Sequence, residues 1–436
     1  MQLSYFPVPR ASQLRAAWLM LFSLGFVALP ARAENDDGVL MGMEAAQSGG
    51  AVTATIGGGA SAFYNPAGLA SGAASSIDAS ANAYGMRLYR IDGMLRGPEG
   101  ESTDGRVVDW IIAPALLSYV RRMSRVSLSF AIFIPATNDL STTDELRTRG
   151  GTRWLFSIEL RDTRYYTGFG LGARVSSRLR VGVSVLGVYD SQSTRVMLAG
   201  GGPERRALSL FSRDDAKTYG VNARFGVQWE PHRSLSLGLN VIAPDLVLMQ
   251  RNQTANATIL PEDGGSGSSF LPQQVDETRT RPVLGGAPGV RVGAAYRYPR
   301  GWASLDGTLN LPLRAREAED DRKLGFNLRL GMTHELSPAW GLGAGAFTDL
   351  NPLRARGTDF YGGTLGLKYS HDYTLRAGGA VSFVTGLSGR YAYGTGPSFA
   401  LDLPTLLPGV QPRLTNAIGR QRTHELSATI GTSVVF

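Results

Sequence analysis

The last twelve residues of the chain alternate almost without a fault. Leu426, Ala428, Ile430, Thr432, Val434 and Phe436 fall on one face, and Glu425, Ser427, Thr429, Gly431, Ser433 and Val435 on the other. A period of two is the side-chain spacing of an extended strand and cannot be laid on one stripe of a helix. The pattern recurs: Tyr219, Val221, Ala223, Phe225, Val227 and Trp229 oppose Gly220, Asn222, Arg224, Gly226, Gln228 and Glu230. Further alternating runs span Leu179 to Tyr189, Leu235 to Val241, Leu324 to Met332 and Tyr361 to Tyr369.

Periodicity alone leaves open which way the apolar face points. In a sandwich it packs on a second sheet, whereas in an outer-membrane barrel it meets lipid and the polar face lines a lumen. Strand count and loop rhythm favour the barrel. About fourteen strands are expected, beginning near Ser76, Val107, Val126, Thr152, Leu179, Ala207, Ser234, Ala287, Trp302, Lys323, Trp340, Gly357, Tyr373 and Arg420, and an even count suits a closed bacterial barrel. Tight turns at 121–125, 176–178, 230–234, 298–301, 336–339 and 370–373 alternate with longer segments at 91–106, 136–151, 191–206, 250–286 and 394–419. Short periplasmic turns and long outer loops produce that rhythm.

The chain start agrees. Arg10 and Arg15 precede an apolar run from Ala16 to Leu29 and then Ala31-Arg32-Ala33, the three parts of a secretory signal peptide. Residues 1–33 are therefore read as a signal that is removed, 34–74 as a plug and 75–436 as the barrel. The run is shorter than the roughly 20 residues of a spanning helix, and Arg, Asp, Gly or Ser interrupts every later apolar segment. The chain has no Cys, so neither disulfides nor thiolate chemistry is available. Its net charge of +8 falls to about +5 without Arg10, Arg15 and Arg32, too mild a balance to argue for nucleic acid.

From Gly38 to Ala74 the sequence is Gly, Ala and Ser around scattered Met and Thr, with neither period sustained. Small residues of this kind suit packing inside a lumen. Within it, Asn65-Pro66 suits a helix start, with Asn as the cap and Pro in the first turn.

The segment Gly42 to Ala70, with Ala46, Ser48, Gly49 and then Tyr64-Asn65-Pro66-Ala67-Gly68-Leu69-Ala70, resembles the N-terminal hatch of the FadL/TodX family of outer-membrane transporters. Pro114 to Val120 and Ala131 to Pro135 resemble that family's second and third strands. Ile56 to Ser61 departs from it, standing where the family often carries acidic residues. The resemblance implies an all-β, membrane-spanning antiparallel barrel of about fourteen strands with a hatch in its lumen. It also implies passive passage of hydrophobic compounds such as long-chain fatty acids across a Gram-negative outer membrane. Outer loops would catch the ligand, the hatch would shift, and the ligand would leave sideways where a strand is irregular.

On that logic Asn65, Pro66, Ala67 and Gly68 are hatch and gating candidates. Pro114, inside a strand-like run, removes a ladder donor and marks a candidate lateral opening. Apolar clusters in the third and fourth outer loops, with Met197, Leu198, Leu210, Phe211, Leu260, Phe270 and Leu271, are candidate ligand contacts. Arg224, Arg329 and Lys368, on polar faces, are candidates for a carboxylate head group. Catalysis is not expected: of His232, His334, His371 and His424, the first three fall in or beside turns, and no spacing suits a metal. No cofactor or metal is expected, and the partners are hydrophobic small molecules, outer-membrane lipid and lipopolysaccharide, with the barrel a monomer. A general hydrophilic pore or a structural surface barrel is the alternative.

Overall fold

The computed structural model describes residues 38–72, 74–202, 207–261, 268–286, 288–314, 322–351, 358–374, 380–404 and 415–436. The expected signal segment lies outside them. The strands are β1 (Ser76–Arg96), β2 (Ser102–Met123), β3 (Val126–Arg147), β4 (Arg153–Arg174), β5 (Leu179–Gly201), β6 (Ala207–His232), β7 (Leu235–Ile242), β8 (Leu246–Pro261) and β9 (Ser268–Arg279). They continue with β10 (Val283–Leu284), β11 (Gly289–Tyr298), β12 (Gly301–Asn310), β13 (Gly325–Glu335), β14 (Trp340–Asp349), β15 (Asp359–Thr374), β16 (Ala380–Asp402) and β17 (Thr415–Val435).

All belong to one sheet that closes on itself, because β1 pairs antiparallel with β17 from Ser76↔Val435 to Asp92↔Arg420. Seventeen pieces make fourteen staves. β6 pairs with β7 at its inner end and with β8 further out, so β7 and β8 are one stave bent at Ala243-Pro244-Asp245. Pro244 cannot continue a ladder, and the Asn222 amide spans the bend, donating to the Ala243 carbonyl at 2.9 Å and the Asp245 carboxylate at 2.8 Å. The returning stave is β9, β10 and β11, which pair in turn with β8, β8 and β7.

Most strand starts fall where alternation places them, with two corrections. Residues 370–373 are strand, not turn: β15 runs on to Thr374 against β16. The rings of Tyr369, His371 and Tyr373 contact one another in sequence, 6.3 and 4.4 Å between centroids, as side chains two apart on one face do. The second correction is larger. Most of the segments expected as long outer loops continue as strands, and the reason is a change of phase. Along β4, Phe169 and Leu171 point outward, whereas Trp154, Phe156, Ile158 and Leu160 point inward and are buried. Alternation persists, but beyond the membrane the apolar residues turn from the lipid face to the interior.

The wall therefore has two kinds of core. In the inner half, hatch residues pack with Leu116, Phe133, Tyr166 and Leu186. In the outer half, β1, β2 and β16 face β3 to β6 across an apolar cluster around Trp154, Phe156, Ile91, Met94, Leu95 and Leu198. At the tips, the Arg149 amide donates to the Glu101 carboxylate at 2.6 Å, which ties the two layers and holds that carboxyl below its usual range.

The outward face of the inner half is an apolar belt that includes exposed Phe169, Val292, Leu305, Leu330, Leu342 and Leu365. Exposed Trp229, Tyr296, Trp340, Tyr373 and Phe436 lie toward its short-turn rim, and Tyr165, Tyr189 and Tyr219 stack across β4, β5 and β6 toward the other. Such rings mark the two membrane interfaces. Leu330→Arg, near the middle of β13, is expected to lower unfolding stability in lipid vesicles by about 2–4 kcal/mol. Denaturant titration checks this; a loss no larger than that of Leu330→Ser would mean that the face does not meet lipid.

Candidate functional site

The hatch, Gly38 to Gly72, fills the lumen with little regular structure: helix α1 (Met43–Gln47), helix α2 (Ser61–Tyr64) and a 3-10 turn (Pro66–Ala70). Backbone groups buried without a partner cost about 1–3 kcal/mol each, and the wall supplies partners. Ser184, Ser304 and Ser388 hydroxyls donate to the Ala62, Ala51 and Ala46 carbonyls at 2.6, 2.6 and 2.7 Å. Arg122 donates to the Leu69 carbonyl at 2.7 Å and Gln228 to that of Ile56 at 3.2 Å. Fully buried Asp306 accepts from the Val52 and Thr53 amides at 2.9 and 2.8 Å and from the Thr53 hydroxyl at 2.7 Å.

Asn65 organises the motif. Its side-chain oxygen accepts from the Ala67 amide at 3.2 Å, capping the 3-10 turn with Pro66 in its first position. Its amide nitrogen donates to the Thr53 carbonyl at 2.7 Å and the Val227 carbonyl of β6 at 3.0 Å. One side chain thus ties the turn to another hatch segment and to the wall. A Cβ on Gly226 would overlap the Asn65 oxygen, and one on Gly182 would overlap the Pro66 carbonyl. The seat exists because those two wall positions lack side chains.

Beside this seat the wall is incomplete. β2 and β3 are each 22 residues long, yet they pair only from Met123↔Val126 to Leu116↔Phe133. Further out β2 stays with β1, and β3 with β4. The ladders flanking the break are irregular, at Ser80/Ala81 and Asn82/Gly85 between β1 and β2, and at Phe133/Ala136 between β3 and β4. Pro114 sits at the first irregularity and Pro135 at the last, two positions without an N–H to donate. Ile112, 80 % exposed, with Trp110 and Val108, continues the apolar outer face along the β2 edge of the break, whereas the β3 edge starts past Phe133, level with Tyr166 and the outer tyrosine ring, so the break opens at the outer margin of the belt.

The hatch backs the break from inside. The Val39 amide donates to the Pro135 carbonyl at 2.8 Å. Phe63 meets Phe133, at the last β2–β3 pair, with ring centroids 5.4 Å apart, and Tyr166 at 5.7 Å. The Arg224 guanidinium lies 3.6 Å over the Phe63 ring and donates to the Phe63 carbonyl. Just outward, Glu425 accepts from Arg87 at 2.8 Å and from Arg390 at 2.9 Å. Arg390 also holds the Gly38 carbonyl, while Arg87 reaches the Thr137 carbonyl on the free stretch of β3 at 3.2 Å.

The expected site residues divide accordingly. Asn65 to Gly68 form the hatch seat, and Pro114 lies at the break. Leu198 and Leu210 are paired and buried inward, whereas their neighbours Met197 and Phe211 are paired on the outer face. These four belong to strands rather than loops, so they form no single groove. Side chains of Leu260, Phe270 and Leu271 lie outside the described residues. Arg224 and Arg329 are buried in the lumen, Arg224 on the hatch and Arg329 opposite Asp306 in register. Lys368 lies across the hatch from these, lining an inner cavity of about 620 Å³ with Glu44, Asp78, Arg122, Arg180 and Glu230. Phe63, Phe133 and Pro135 lie in the stretches that carry the resemblance but have no site role from the sequence, and Asp306 has no sequence signal at all. Pro135 carried the same signal as Pro114, a proline within an apolar strand. Among the described residues no group of three or more His, Asp or Glu could hold a metal.

No protein-family model and no curated protein sequence matches the chain. Its fold does match solved structures. A FadL homologue of Pseudomonas aeruginosa superposes with TM-score 0.59 at 14% identity, covering 90% of this chain and 98% of that one. The toluene transporter TodX of P. putida gives 0.60 at 15% identity, covering 91% and 99%. The CymD monoaromatic hydrocarbon channel gives 0.56 at 12%, covering 91% and 97%. The chain shares their fold over nearly its whole length.

Asp306→Ala would take the acceptor from the Thr53 amide and leave the Val52 amide only the Gly50 carbonyl, at 3.1 Å. Hydrogen exchange at Val52 and Thr53 is expected to rise at least tenfold while exchange in β12 and β13 is unchanged; unchanged exchange at Val52 and Thr53 would contradict the seat.

Proposed function

We propose that the chain is an outer-membrane passive transporter of the FadL/TodX type, carrying hydrophobic small molecules from outside a Gram-negative cell into the bilayer through the break between β2 and β3. The observation that carries this reading is a wall opening at the outer margin of the apolar belt with a hatch behind it. The shared fold supports it, since structures of that fold include a toluene transporter and a monoaromatic hydrocarbon channel.

Physical chemistry favours a sideways exit. A chain of about fourteen methylenes released into water would lose about 11 kcal/mol of transfer free energy, whereas a charged hydrogen bond to a head group contributes only about 1.5–3 kcal/mol. The alternative route downward passes a cavity in which Glu44, Asp78, Arg122, Arg180, Glu230 and Lys368 stand among apolar side chains such as Ile56, Leu116 and Trp302, so hydrocarbon there would meet charged groups that the lipid face lacks. Release between β2 and β3 lets the cargo pass from the wall directly into lipid.

Gating follows from the same contacts. Phe63 and Val39 sit behind the break, and Asn65, Pro66, Ala67 and Gly68 fix the turn that follows Phe63. A shift of that turn would draw Phe63 off Phe133. On this reading residues 1–33 are a removed signal, the barrel works as a monomer among lipid and lipopolysaccharide, and long-chain fatty acids or aromatic hydrocarbons are the cargo to try first.

The absence of native Cys makes a direct test clean. Trp110→Cys and Asp139→Cys, on the two edges of the break, can be joined by a short bis-maleimide. Bridging is expected to abolish uptake of a labelled fatty acid or toluene into vesicles, with either single cysteine leaving it unchanged. Full uptake by the bridged protein would exclude the break as the exit.

A further inference from the structure

The short-turn rim gathers charge of one sign along part of its circumference. The turns joining β2 to β3, β4 to β5, β6 to β7 and β11 to β12 follow one another around the sheet, and they place Arg121, Arg125, Arg178, Arg233 and Arg300, all exposed, on one arc. Arg125, Arg233 and Arg300 stand in two-residue turns closed by Met123↔Val126, His232↔Leu235 and Tyr298↔Gly301. Arg178 lies in the turn between Arg174 and Arg180, and Arg121 two residues before Met123. The segments 121–125, 174–180, 230–234 and 297–301 hold a single acid, Glu230, and Arg180 binds it.

Among the described residues none of the five arginine side chains has a carboxylate partner. The outer half of the barrel is built differently: there exposed Arg90, Arg153, Arg161, Arg195, Arg213 and Arg251 each lie 2.5–3.1 Å from a carboxylate. On the lumen side of the same rim, Arg122 and Arg174 donate to the Leu69 and Ala70 carbonyls of the hatch at 2.7 and 3.3 Å. The five therefore form a cationic surface whose counter-charge the protein does not supply.

Their depth says what can supply it. Exposed apolar side chains continue into the turns themselves, with Met123 and Val175 at the ends of β2 and β4 and Leu235 at the start of β7. Tyr119 precedes Arg121 by two on the same outward face, and exposed Trp229 and Tyr296 flank the next turns. The arginines thus stand where the apolar belt ends, the level of lipid headgroups, and their long side chains can reach the phosphates while the stems cover apolar surface. A guanidinium matches two phosphate oxygens at once.

We propose that this arc is a binding surface for anionic phospholipid headgroups of the inner leaflet, such as phosphatidylglycerol. The assignment goes beyond the transport reading: it depends on the belt meeting lipid and not on what the barrel carries.

The test uses the full mature barrel, wild type and with Arg121, Arg125, Arg178, Arg233 and Arg300 all changed to Gln, in phosphatidylcholine vesicles containing a minor fraction of brominated phosphatidylglycerol or brominated phosphatidylcholine. Quenching of tryptophan fluorescence reads which lipid gathers at the wall, and Trp229 stands within the arc. The wild type is expected to enrich phosphatidylglycerol over phosphatidylcholine about tenfold at low salt, and the variant less than about twofold. Arg161→Gln with Arg195→Gln, on the outer half, should leave the enrichment unchanged. Salt at about 1 M, where the Debye length is about 3 Å, should remove it. No enrichment in the wild type, equal enrichment in the five-arginine variant, or enrichment insensitive to salt would each overturn the assignment. Native mass spectrometry of the wild type in neutral detergent separates the sources of charge. Intact phosphatidylglycerol should stay bound where glycerophosphoglycerol does not; equal binding of the soluble headgroup, or displacement of the lipid by polyglutamate, would make the arc a site for a soluble anion or an acidic protein and overturn the lipid assignment.

Discussion

Backbone hydrogen bonding governs this molecule. Some thirty-five residues of hatch lie inside a barrel with two short helices, a 3-10 turn and a few isolated turns to satisfy part of their backbone, and most of them are buried. The inward polar face of the wall does what regular structure would otherwise do. Serines on β5, β12 and β16 meet hatch carbonyls, and Asp306 gathers two hatch amides and a hydroxyl. Inward glycines such as Gly182 and Gly226 let the two backbones approach. The inward polar face of the lumen is spent largely on the plug.

The same constraint explains why an opening in the wall can persist. A free strand edge in lipid exposes unpaired N–H and C=O groups at a cost of several kcal/mol each. Here proline removes two of the donors near the break, and the Val39 amide and Arg87 guanidinium satisfy the Pro135 and Thr137 carbonyls on β3. The hatch and the charged cluster of Arg87, Glu425 and Arg390 are thus part of what makes the break tolerable. On the proposed reading, a shift of the hatch would alter the satisfaction of that edge, and no long-range signal would be needed to couple the two.

Much of this architecture was legible in the sequence because lipid imposes a strict code. Leu426 to Phe436 and Tyr219 to Trp229 alternate with one phase while they cross the belt, and the fourteen-stave count follows from such runs. The code fails where lipid ends. From Trp154 to Leu160 the alternation is as regular as before, but its apolar members face inward. Leu198 and Leu210 likewise read as apolar loop residues although they are inward strand positions. Asn65-Pro66 announced its own turn through local chemistry. Asp306 did not announce its role, because its partners Val52 and Thr53 lie more than 250 residues away in sequence. Phe63 and Phe133 come together for a similarly nonlocal reason.

The claim on which the account depends is that cargo leaves sideways between β2 and β3. Photolabelling measures it most directly: a long-chain hydrophobic ligand carrying a diazirine at its distal end, irradiated during uptake by the barrel in vesicles, with adducts mapped by mass spectrometry. Adducts on Ile112, Phe133 and Ile134, at the edges of the break, are the predicted result. Adducts concentrated on Glu44, Lys368 and Glu230, in the inner cavity, would show passage straight through the barrel and contradict it.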